Sequence, residues 1–78
     1  MDKAASKTGE AGVVDARGLR CPMPVLRLAR AMRLDPDQNR FLLIADDPAA
    51  ETDVPAFASE RGWICRTKEP GQFLLTRD

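Results

Sequence analysis

The chain has 78 residues, enough for one small domain that buries only about 60% of the surface its unfolded chain exposes, so the architecture must be simple. Lys plus Arg is 12 and Asp plus Glu is 12, a net charge of zero, and the basic excess expected of a protein that grips phosphate backbone is missing, so nucleic acid is not the expected partner. Two cysteines, Cys21 and Cys65, with no histidine exclude a Cys/His zinc set and every imidazole acid or base, so neither a metal nor a cofactor is called for.

Residues 1–12 are polar and small, without an apolar signal core, and no apolar run is long enough to span a bilayer. We expect a disordered tail here, a single domain over 13–78, and a cytoplasmic protein without a membrane partner. Val13 and Val14 open a short strand ending near Asp15 or Ala16. Arg17-Gly18-Leu19-Arg20 is then a tight connection in which Gly18 can take backbone angles other residues avoid. From Pro22 to Met32 the apolar positions Val25, Leu28, Ala29 and Met32 recur at helical spacing, with Arg27, Arg30 and Arg33 on another face, and Asp35-Pro36-Asp37 stops the helix. Phe41 to Ala45 is a continuous apolar run that reads as an interior strand.

Asp46-Asp47-Pro48 reads as turn chemistry. A second, short helix follows over 53–61, with Asp53 as its N-cap, Pro55 in its first turn and Gly62 at its left-handed end. Trp63 to Thr67 and Gln72 to Thr76 are strands joined by a Pro70-Gly71 turn and should pair as a hairpin. The order is βαβαββ, an α/β (α+β) two-layer sandwich in which both helices cover one face of a four-stranded mixed sheet, with a right-handed parallel crossover first.

Within this frame the stretch Gly18-Leu19-Arg20-Cys21-Pro22-Met23-Pro24 carries the chemistry. If Cys21 is the N-cap of the first helix, both prolines fall in the first turn, where a missing N–H leaves no helical bond unmade, and Met23 N–H is the donor left for the sulfur. That N–H, the helix dipole and the charges of Arg17 and Arg20 would depress the Cys21 pKa. A thioredoxin-like Cys-x-x-Cys pair would need its second thiol where Pro24 stands, so no local disulfide forms. A thiol that no neighbour can quench suits covalent carriage of a group, and a low-pKa cysteine leaves readily when an acceptor thiolate attacks a bound outer sulfur, which favours a persulfide. The bland alternative, a small buried hydrophobe, explains Cys65 better than Cys21.

Asp15-x-x-Gly18-x-x-Cys21-Pro22-x-Pro24 resembles the signature of the TusA (SirA-like) family of small sulfur-carrier proteins, and Asp46-Asp47-Pro48-Ala49 with Asp53-Val54-Pro55 resembles its second stretch. The resemblance runs from about Val13 to the C-terminus and implies a two-layer βαβαββ fold. It also implies that Cys21 takes sulfane sulfur as a persulfide from a cysteine desulfurase or rhodanese-like donor and passes it to an acceptor protein, a sulfurtransferase activity. It gives Cys65 no role. Around Cys21, Asp15, Gly18, Pro22, Met23 and Pro24 support the site, Asp15 by holding the loop through its backbone N–H groups. Arg17, Arg20 and Arg27, with Arg30 and Arg33, offer a docking surface to acidic partners or else a solvated helix face. A monomer suits a protein that inserts its active loop into another. The rival readings are a non-catalytic regulatory interaction module and a thiol redox sensor in which Cys21 oxidises.

Overall fold

The computed structural model describes residues 11–77. Six elements follow in chain order: β1 (Gly12–Asp15), α1 (Met23–Leu34), β2 (Arg40–Ile44), α2 (Ala50–Arg61), β3 (Ile64–Glu69) and β4 (Gln72–Thr76). The strands form one sheet in the order β1-β2-β4-β3. β1 and β2 are parallel, with Asp15 opposite Ile44, and the β2/β4 and β4/β3 pairs are antiparallel. This is the expected α+β sandwich of two helices on a four-stranded mixed sheet. Residues 1–10 of the expected tail lie outside the described residues, and β1 takes in Gly12, one residue earlier than the sequence reading placed it.

The core is the side of the sheet where alternate strand positions meet the helices. Val14 of β1, Phe41 and Leu43 of β2, and Phe73 and Leu75 of β4 are buried together with Leu28 and Ala29 of α1 and Val54, Phe57 and Ala58 of α2. Period-two burial along the strands and the 3.6-residue stripe on α1 are the physical form of the sequence pattern. Arg27, Arg30 and Arg33 accordingly face solvent. Trp63 closes one end of the core against Phe41, their ring centroids 5.8 Å apart and tilted, where edge contacts outweigh face-to-face stacking.

The start of α2 departs from expectation. The helix begins at Ala50, not at Asp53, and Pro55 lies inside it rather than in its first turn. The cause is Asp47, whose carboxylate accepts the Ala49 N–H at 3.1 Å and whose carbonyl accepts the Ala50 N–H at 2.9 Å. The first donors of the helix are thus met by successive carbonyls, Ala50 N–H by Asp47, Glu51 N–H by Pro48 and Thr52 N–H by Ala49, and the helix starts before Asp53, with Ala50 buried. Gly62 ends the helix in the left-handed conformation (φ 78°), as expected, and Trp63 N–H bonds back to the Ala58 carbonyl at 2.8 Å.

The hairpin is present, with an irregularity between Thr67 and Glu69 that the sequence pattern does not announce. Gly71 in its turn has φ 82° and its carbonyl accepts the Ala45 N–H at 2.9 Å, so the turn is stitched to the residue that follows β2. No described helix is long and apolar enough to cross a membrane.

Candidate functional site

Because β1 and β2 run parallel, the loops that leave their C-terminal ends emerge at the same edge of the sheet. One loop carries Arg17 to Pro22 and the other carries Asp46 and Asp47. This is where open α/β sheets gather functional groups. The first loop begins as Ala16 N–H extends the strand pairing to the Ile44 carbonyl at 2.7 Å. Asp15 then accepts the Arg17 backbone N–H at 3.1 Å and grips its guanidinium at 2.8 Å and 3.0 Å. Those bonds stabilise the carboxylate and lower its pKa from 3.8 to about 2. Of the loop's backbone N–H groups, Asp15 accepts that of Arg17.

The rest of the loop is held from the neighbouring strand end. Gly18, at φ 82°, donates its N–H to Asp46 Oδ1 at 2.9 Å, and Cys21 N–H donates to Asp47 Oδ2 at 2.6 Å. Asp47 thus receives the N–H groups of both Cys21 and Ala49, and its carboxyl is held below the usual range for that reason. Gly18, Leu19, Arg20, Asp46, Asp47 and Pro48 surround an open groove of about 460 Å³ beside the cysteine.

Cys21 is exposed and free. It stands one residue outside α1, whose N-cap is Pro22, so the expectation of a cysteine N-cap is corrected. Both prolines are still tolerated, Pro22 at the cap and Pro24 buried in the first turn. The peptide bond between Cys21 and Pro22 is cis. Met23 N–H does not serve the sulfur either, because it donates to the Arg20 carbonyl at 2.7 Å and closes the turn that delivers the chain into the helix.

What the sulfur meets instead is Asp53, four residues into α2. Cys21 Sγ donates to Asp53 Oδ2 at 2.6 Å, across a shallow crevice lined by Pro22, Pro24, Val25 and Ala50. A thiol that donates to a carboxylate is stabilised in its protonated form, and a thiolate there would face two anions, Asp53 and Asp47. The Cys21 pKa is consequently raised, by the Asp53 hydrogen bond first, then desolvation, then the charges of Asp53 and Asp47. The expected depression is overturned by a residue 32 positions away in sequence.

The family model of sulfurtransferase TusA matches residues 12–76. The chain belongs to the TusA sulfurtransferase family. In this TusA family member every residue of the signature falls at one loop: Asp15 and Gly18 anchor it, Cys21 is presented at its end, and Pro22 and Pro24 lead into α1. The second stretch supplies the anchors and the sulfur's partner, since Asp46, Asp47 and Asp53 all converge on that loop. The sequence reading assigned the first two to a turn and the third to a helix cap. The signal that could have found them is topological: carboxylates just past the end of a strand parallel to β1 must lie against the loop that follows β1.

Of the expected docking arginines, Arg17 is ion-paired with Asp15, Arg27 donates to the Asp15 carbonyl at 3.4 Å, and Arg20 is exposed on the cysteine's own loop. Met23 and Leu26 are exposed apolar side chains on the first turn of α1, beside Cys21. Cys65 is half-buried on β3 against the core, and burial pushes its thiol pKa up. Among the described residues no group of three or more Cys, Asp and Glu is arranged to hold a metal ion.

Proposed function

We propose that this protein is a persulfide carrier in which Cys21 accepts sulfane sulfur from a donor protein, a cysteine desulfurase or rhodanese-like enzyme, and delivers it to an acceptor protein. The observation that carries the reading is an exposed, free cysteine at the end of a loop held from outside by Asp46 and Asp47, so that the sulfur stands forward while its backbone stays fixed. Membership in a family of sulfur-transfer proteins supports it. Cys21 sulfur attacks the outer sulfur of the donor persulfide, a new S–S bond forms, and the donor cysteine leaves as a thiolate that takes up a proton. In delivery an acceptor thiolate attacks the outer sulfur on Cys21, and Cys21 is the leaving group.

The surface beside the sulfur fits protein partners. Exposed Met23 and Leu26 give apolar contact on the α1 side, and Arg20 and Arg27 supply positive charge at its margin, which speeds encounter with a complementary acidic surface. The carrier works as a monomer in the cytoplasm, where thiols stay reduced.

Intact-protein mass spectrometry after incubation with a persulfide donor tests the reading. Wild type should gain one sulfur atom that reductant removes, Cys65→Ser should gain it equally, and Cys21→Ser should gain none while remaining folded. Loading of Cys21→Ser at the wild-type level would sink the reading. The hydrogen bond from Cys21 Sγ to Asp53, which holds the sulfur as a thiol, favours a second reading, a module that binds partners without carrying sulfur. Absence of loading on a Cys21 that alkylates readily would favour it.

A further inference from the structure

We propose that Asp53 is a positioning residue that holds Cys21 as a thiol in the free protein, and that a partner releases the thiolate by bringing a cationic side chain, an arginine or lysine, against that carboxylate. The inference rests on Cys21 being the sulfur carrier and adds how its reactivity is confined to the docked state.

The geometry requires something of this kind. Four elements surround the sulfur: the cysteine's own loop, the start of α1, the loop after β2, and α2; α1 brings only the uncharged Pro24 and Val25 to the crevice. From α2 comes Asp53, in direct contact at 2.6 Å. From the loop after β2 comes Asp47, whose carboxylate holds the Cys21 N–H, with Asp46 beside it on Gly18. From the cysteine's loop comes Arg20, whose charge acts on Asp47. Arg17 pairs with the Asp15 carboxylate and Arg27 donates to the Asp15 carbonyl, so neither reaches Asp53. Among the described residues no arginine or lysine pairs with Asp53, so a thiolate formed here would face that carboxylate without compensation. The chain has no histidine to take the proton.

An aspartate is too weak a base to remove the thiol proton outright, because its ordinary pKa lies about 4–5 units below that of a cysteine. Its effect in the free protein is therefore to hold the proton on sulfur. A cation placed against Asp53 reverses the balance: the carboxylate pairs with it, the hydrogen bond from sulfur is released, and the thiol proton passes to solvent. The thiolate then attacks the outer sulfur of the donor, Cys21 gains the S–S bond, and the departing donor thiolate is protonated from water. Atoms and electrons balance without an added oxidant. Stray disulfides and oxidants that bring no such cation meet the less reactive thiol.

The test uses the full chain on a Cys65→Ser background, so that one thiol is read. The rate of Cys21 alkylation by iodoacetamide is followed against pH for wild type, Asp53→Asn and Asp53→Glu. Asp53→Asn should move the midpoint to lower pH and raise the rate at pH 7 by about threefold or more, the gain in thiolate fraction exceeding the loss of intrinsic nucleophilicity. Asp53→Glu should stay close to wild type. A side chain that mattered only for folding would leave the midpoint in place, and an unmoved Asp53→Asn midpoint overturns the proposal.

The second arm offers wild type and Asp53→Asn two synthetic peptide persulfides that differ only in an arginine or a glutamine beside the cysteine. Wild type should load several-fold faster from the arginine peptide, and Asp53→Asn should lose that preference. Equal loading from the two overturns the proposal while leaving the carrier reading intact. A shifted Asp53→Asn midpoint with no loading of wild type from either peptide would refute the carrier reading and uphold the hold of Asp53 on the thiol.

Discussion

Alanine at Gly71 and alanine at Gly62 should differ sharply in cost, although the two glycines have nearly the same backbone conformation, φ 82° and φ 78°. Each substitution places a Cβ in the left-handed region, which costs about 1–2 kcal/mol for an L-residue. At Gly62 the new methyl would meet nothing within 4 Å, so that is the whole effect. At Gly71 it would stand 2.7 Å from the Ala45 carbonyl oxygen, a backbone atom that cannot swing aside. That carbonyl belongs to the residue whose N–H bonds to the Gly71 carbonyl at 2.9 Å, so relief of the clash pulls on the hydrogen bond that stitches the hairpin to β2. Overpacking of this kind adds about 2 kcal/mol. Gly71→Ala should therefore lose about 3–4 kcal/mol in total, a large share of the stability of so small a domain. Urea unfolding followed by the fluorescence of Trp63, the chain's one tryptophan, measures both variants with the same probe. Because Ala45 leads directly into Asp46 and Asp47, Gly71→Ala should also slow sulfur loading, and Gly62→Ala should not. Equal destabilisation by the two substitutions would refute the reasoning, since it would mean that the turn and Ala45 separate at no cost.

Two predictions concern pH. Asp15 and Asp47 have depressed pKa values in the folded protein, so their stabilising effect is present above the ordinary carboxylate pKa and is lost as pH falls through the folded values. Melting temperature should fall as pH drops from 3.8 toward about 2, and an Asp15→Asn, Asp47→Asn double variant should show a shallower fall over that range; an identical slope would dismiss the two carboxylates as its source. Cys21 and Cys65 have raised pKa values, so their contribution is intact below the unfolded thiol pKa and is lost as pH rises through the folded ones. Stability should decline above pH 9.0, and a Cys21→Ser, Cys65→Ser double variant should decline less, measured by urea unfolding on the alkaline side.

The elements that were legible in the sequence are those whose cause is local. The apolar run at Phe41 to Ala45, the helical stripe of Val25, Leu28, Ala29 and Met32, and the Pro70-Gly71 turn each declare their structure within a few residues, and the parallel crossover and the hairpin follow from chain rules, whereas the pairing of β4 with β2 was not read from the sequence. The entrance of α2 was misplaced because the helix starts from a turn at Asp47 to Ala49 with no capping side chain, so Asp53, which reads as a cap in sequence, falls inside it. The cysteine, its loop and its prolines were found for the same local reason. The direction of its pKa was not, because Asp53 comes from α2, and only the folded chain brings that carboxylate to the sulfur. Cys65 lies on a strand as expected, but half-buried beside the core rather than inside it.

The place of β4 in the sheet bears on how the chain can acquire its fold. The last strand in sequence lies between β2 and β3, and it carries Phe73 and Leu75, two of the most completely buried side chains. A chain that ends before Gln72 has a parallel pair, β1 with β2, and a lone β3 with no strand to bond to. Such a fragment lacks Phe73 and Leu75 from the centre of the core, although the carboxylates that hold the cysteine loop, Asp15, Asp46 and Asp47, all precede β4 in the chain. The residue that leads into Asp46 and Asp47 is itself tied to the hairpin that comes last in the chain, through the Ala45 N–H on the Gly71 carbonyl.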